Sequence, residues 1–120
     1  MPTVPKSSTP KSELLKGTLD MLILQTLTAQ PMHGYAIAQH IGRLSSEVLT
    51  VEQGSLYPAL ERLLQAGWVT AKWGTSPTGR RARYYTITPS GRKQLGQEIS
   101  EFDKLTLAIA RVLGRAAGEA

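Results

Sequence analysis

The sequence predicts a mainly α (α+β) fold: three helices, a two-stranded hairpin, then one long helix. Three observations predict it. Apolar residues recur at three-and-four spacing in three segments between residues 13 and 66. Two short alternating runs, 68–73 and 82–88, flank a connection over 74–79 that is dense in turn formers. Beyond Pro89, apolar residues fall at alternating intervals of four and three, the pattern of a helix that pairs with another helix.

The first helix is expected over 13–29, with Leu14, Leu15, Leu19, Leu22, Ile23 and Leu27 as a broad apolar stripe and Gln30-Pro31 as its stop. The second runs over 33–44, packing Tyr35, Ile37, Ala38 and Ile41 inward, with His33 at its start as a cap. Val48 and Leu49 can add a short third strand to the hairpin. The third helix covers 53–66, burying Leu56, Leu60, Leu63 and Leu64 and ending at Gly67. Its start has two readings: a capping box from Thr50 to Gln53, which leaves Pro58 inside the helix, or Ser55 as the cap, which leaves Pro58 in the first turn. Tyr84 and Tyr85 are adjacent on a strand and point to opposite faces. Trp68 and Trp73 carry the same ambiguity, with core packing beneath the hairpin expected over a stacking site for single-stranded bases. Thr88-Pro89 supplies a hydroxyl cap and a proline at the first helical position of the last helix. Its seam is Leu95, Ile99, Phe102, Thr106, Ile109, Leu113 and Ala116.

Charge points to a partner. The 120 residues carry a formal charge of +5, and between 62 and 97 stand Arg62, Lys72, Arg80, Arg81, Arg83, Arg92 and Lys93 with no Asp or Glu. Solubilising surfaces intersperse both signs, so a one-signed stretch calls for a polyanion. A helix followed by a basic hairpin is the layout of a winged helix, in which the helix enters the major groove of a duplex and the hairpin follows the backbone or minor groove. The expected DNA contacts are Gln53, Ser55, Pro58 and Arg62 on the helix, and Lys72, Arg80, Arg81 and Arg83 on the hairpin.

Other classes fit poorly. With no cysteine there is no disulfide, thiol catalysis or Cys-based zinc site, and His33 and His40 are not spaced as metal ligands, so no cofactor or metal is expected. The acid-free centre holds no carboxylate pair, and Gly-Thr-Ser-Pro-Thr-Gly-Arg-Arg lacks the Gly-Lys-Ser/Thr ending of a phosphate loop; an enzyme is not expected. Met21-Leu22-Ile23-Leu24, between Asp20 and Gln25, is too short to span a bilayer, and a cytoplasmic location is expected. The domain reading is a flexible arm over 1–12, a winged-helix domain over 13–88 and a dimerisation helix over 89–120. The alternative function is an RNA-binding or protein-interaction module on the same scaffold.

From about Leu14 to the last helix the chain resembles the PadR family of bacterial transcriptional regulators. The residues that carry the likeness are Leu15-Lys16-Gly17-Thr18-Leu19-Asp20, Met32-His33-Gly34-Tyr35, Gly54-Ser55-Leu56-Tyr57-Pro58 with Leu60 and Leu63, and Arg83-Tyr84-Tyr85-Thr86-Ile87-Thr88 with Gly91. The resemblance implies a winged helix, a homodimer formed through the first and last helices, and repression at an operator, with the helix around 54–64 reading bases and the hairpin gripping the backbone. An inverted-repeat operator is expected for such a dimer. By the same likeness this is a short form without a separate effector domain. Relatives that respond to small aromatic or cationic compounds bind them at the dimer interface, and nothing in this sequence marks such a pocket.

Overall fold

A computed structural model describes residues 9–115, with side chains described from residue 17. In order the elements are α1 (Thr9–Leu27), β1 (Met32–His33), α2 (Gly34–Leu44), α3 (Gln53–Gln65), β2 (Val69–Thr75), β3 (Arg81–Ile87) and α4 (Pro89–Val112). The helical turns of α1 start at Thr9, within the expected arm; residues 1–8 and the side chains of Leu14 and Leu15 lie outside the described residues.

Leu19, Ile23, Leu24 and Leu27 of α1 pack with Ile37 and Ile41 of α2, Leu56, Leu60 and Leu63 of α3, and Val69, Tyr85 and Ile87 of the sheet. Thr26, buried among them, donates its hydroxyl to the Leu22 carbonyl at 2.8 Å and so leaves no orphan group. The sheet is antiparallel in the order β1-β3-β2. Its third strand is therefore Met32–His33, paired with Tyr85 and Tyr84, and not Val48-Leu49. Residues 45–49 form a turn closed on itself instead: Ser45 Oγ donates to the Gly42 carbonyl and accepts from Leu49 N, both at 3.0 Å, and Glu47 N donates to the Gly42 carbonyl.

Two corrections concern helix faces and ends. Tyr35 is exposed rather than inward, because it lies at the start of α2 where the helix overhangs the hairpin. Neither reading of the α3 start holds: Glu52 is the N-cap, without a side-chain cap bond, and its carbonyl accepts from Ser55 N and Leu56 N. Pro58 sits inside the helix, on its exposed side, where a missing N–H costs least.

His33 does cap α2, its Nδ1 accepting from Ala36 N at 3.2 Å. Thr88 caps α4, its Oγ1 accepting from Gly91 N at 2.9 Å and donating to the Gly67 carbonyl at 2.8 Å. Gly91 is fixed by contact: a Cβ there would run into the carbonyl oxygen of Trp68. The first turn of α4 is thereby pressed onto the connection between α3 and β2, and Leu95 is buried in the domain core.

Candidate nucleic-acid interface

The hairpin is built to be stiff. Its register runs from Val69↔Ile87 to Thr75↔Arg81. Ser76 N then donates to the Arg80 carbonyl at 2.7 Å and Gly79 N to the Ser76 carbonyl at 2.8 Å, with Gly79 at φ +84° where a side chain would be strained. Tyr84 lies across Gly74, which has no Cβ to obstruct the ring, and donates its hydroxyl to the Thr75 carbonyl at 3.2 Å.

Strand alternation sorts the basic residues. Arg81 and Arg83 fall on the face that carries Tyr85 and Ile87 into the core, and they overhang the start of α2. Lys72 pairs with Tyr84 on the opposite face, away from both arginines. Arg80 is exposed at the tip. Trp68 packs against the core as expected, whereas Trp73 is 57% exposed, with the Arg81 guanidinium 4.9 Å from its ring centroid. The Arg83 guanidinium lies 5.8 Å from the Tyr85 ring and 4.0 Å from a Glu61 carboxylate oxygen. Burial raises the Tyr85 pKa above its ordinary value, with Arg83 opposing.

Between wing and helices opens a hollow of about 1050 Å³, lined by Tyr35 and Gln39 of α2, Tyr57 of α3, and Trp73, Arg80, Arg81 and Arg83 of the wing, with no acidic side chain on its wall. Gly34 explains how two distant sequence segments meet here, since the Tyr57 ring lies 3.1 Å from where its Cβ would be. Tyr35, Gln39 and Tyr57 were not among the DNA contacts expected from sequence; the tyrosine within Gly54-Ser55-Leu56-Tyr57-Pro58, exposed in the structure, was the available signal.

On α3 the outward line is Gly54, Pro58, Glu61 and Gln65, all exposed. Gln53 is exposed in the first turn. Ser55 and Arg62 are turned toward α1, where with Thr18, Leu22, Leu49 and Pro58 they line a second, smaller hollow. Arg62 is already engaged: its guanidinium donates to both carboxylate oxygens of Asp20, at 2.7 and 3.4 Å, tying α3 to α1. The structure thus brings Arg80, Arg81 and Arg83 together around the first hollow, places Ser55, Pro58 and Arg62 at the second, and leaves Lys72 on the opposite face of the sheet.

Among the described residues no three His, Cys, Asp or Glu side chains are grouped to hold a metal ion, and no helix is long and apolar enough to cross a membrane. His40 lies beside Arg43, Nδ1 to Nη2 3.3 Å.

Comparison with known proteins agrees with this architecture. The Transcriptional regulator PadR-like family matches residues 23–97. A transcriptional regulator from Clostridium thermocellum superposes with a TM-score of 0.73 at 29% identity, covering 82% of this chain and 95% of the other. A PadR-like transcription factor from Bacteroides fragilis superposes at 0.70 with 28% identity, over 88% and 99% of the two chains. In sequence, an uncharacterized protein from Lysinibacillus sphaericus is 27% identical over 92 residues, 77% of this chain and 84% of that one. With its winged-helix architecture and a family match over more than half its length, this chain belongs to the PadR-like family of transcriptional regulators and is not an enzyme.

Proposed function

We propose that the protein is a repressor in which two copies, paired through α4, bind one inverted-repeat operator in double-stranded DNA within the cytoplasm. The observation that carries this reading is the acid-free hollow where Arg80, Arg81 and Arg83 of the wing face Tyr57 of α3 and the N-terminal turn of α2. Its charge suits phosphates, and the exposed first turn of α3, with Gln53 and Ser55, suits base edges in a major groove.

The distal half of α4 supports the dimer. Ile99, Phe102, Leu105, Ile109 and Leu113 are exposed along it, while Leu95 is covered by its own domain, so the open seam begins at Ile99. Charge order gives the pairing a direction: Glu98, Glu101 and Asp103 precede Lys104, Arg111 and Arg115. Antiparallel helices centred near Thr106 set acidic against basic segments, whereas parallel ones oppose like charges.

Selection of bound duplexes from a random pool tests the function. An inverted repeat is expected. Recovery of no consensus, together with tighter binding of single-stranded RNA, would transfer the hollow to the RNA-binding alternative.

A further inference from the structure

Trp73 follows Val69 and Ala71 on the core-facing side of β2, yet it lies past the edge of the core, with more than half of its surface in water. What the indole does touch is the Arg81 guanidinium, 4.9 Å from the ring centroid. Arg81 has no ion-pair partner among the described residues, unlike Arg83, which lies near Glu61. A guanidinium stacked on an aromatic face keeps its N–H edge free for acceptors, and it has fewer rotamers to lose when it binds. The strands that carry both residues are held by the Thr75↔Arg81 register and the hydrogen-bonded turn at Ser76, so this cation is aimed, not slack. The tip beyond it consists of Ser76, Pro77, Thr78 and Gly79, small enough for a groove about 6 Å wide.

We infer that Trp73 is a positioning residue that holds Arg81 for insertion into a narrow minor groove, so that the wing selects duplexes by shape and favours A·T tracts beside the operator half-site. The inference rests on the DNA-binding reading above and deepens it. A·T tracts narrow the minor groove and deepen its negative potential, which rewards a fixed arginine more than a mobile one. Trp73 then contributes to discrimination without adding charge.

The full-length chain is titrated by fluorescence anisotropy into two duplexes of equal length, one with an A-tract and one of alternating G and C, at several salt concentrations. The wild type is expected to prefer the A-tract. W73L keeps apolar bulk without a ring, and it should lower that preference roughly twofold to fivefold with an unchanged salt slope. W73F, which keeps a ring face, should retain most of the preference. R81A should abolish it and lower the slope by about one, and W73L added to R81A should do nothing more. Melting temperatures of all variants are compared; a wing lost through unfolding would weaken both duplexes equally, and that result overturns the positioning role. So does a W73L variant with wild-type preference, or effects of W73L and R81A that add. If the wild type binds both duplexes equally, shape selection fails while DNA binding stands. If it binds neither better than single-stranded RNA, both readings fail.

Discussion

The winged-helix body and the distal half of α4 treat apolar side chains in opposite ways. In the body, Ile23, Leu24, Ile37 and Leu63 are wholly covered by their own chain. In α4, Phe102 is 44% exposed, Ile109 48% and Val112 87%. The boundary lies within one helix: Gly91 and Leu95 belong to the body, and the open seam starts a turn later at Ile99. Amphipathic periodicity is the same on both sides of that boundary, so periodicity alone cannot say whether a stripe is satisfied at home or abroad. The difference divides the labour that we propose: recognition by a body complete in itself, assembly by a helix that is not.

The largest effect is expected in the open seam. F102E/I109E places carboxylates where a partner's apolar residues are expected, at a cost on the order of 3–5 kcal/mol. Sedimentation should then show a monomer whose body melts almost as the wild type does. A wild-type chain that is itself monomeric at micromolar concentration removes the contrast altogether. On the closed side, G91A forces a methyl group against the Trp68 carbonyl and should destabilise the body by about 1–3 kcal/mol, read as a lower melting temperature. A smaller effect belongs to the surface of the body: R80A, at the wing tip and without an ion-pair partner among the described residues, should weaken cognate and random duplexes alike and lower the salt slope by about one.

The smallest effect is alkaline. Burial keeps the Tyr85 hydroxyl protonated above its ordinary pKa of 10.0. The unfolded chain ionises first, so the stabilisation is complete below pH 10 and is lost as pH rises through the folded value. Urea midpoints should therefore fall with alkali, and Y85F should blunt the decline.

Local signals made the body legible. The Leu56, Leu60, Leu63 stripe, the Gly67 stop, the two strands and the Thr88-Pro89 cap each depend on neighbours a few residues away, and each was readable in one dimension. The family likeness rests on residues whose reason is tertiary: Gly34 makes room for Tyr57, and Asp20 receives Arg62. Pairing at such distance in the chain leaves no periodic trace, which is why Arg62 reads in sequence as a free cation. The strand at Met32–His33 was missed for the same reason. A two-residue strand exists only because β3 lies beside it. Lys72 was grouped with the wing arginines by proximity in sequence, although strand alternation puts it on the other face. For Trp73 the sequence left the face ambiguous and favoured the core, because the register that stacks it under Arg81 could not be known before the turn was closed.

The central claim is that one face reads DNA while another pairs two copies, so a bound duplex must carry two chains. The mass of the complex with a selected duplex, by light scattering coupled to gel filtration, tests this most directly. Two chains on one duplex are expected, falling to weak binding with one chain for F102E/I109E. A single chain bound with full affinity and full sequence preference would contradict the account.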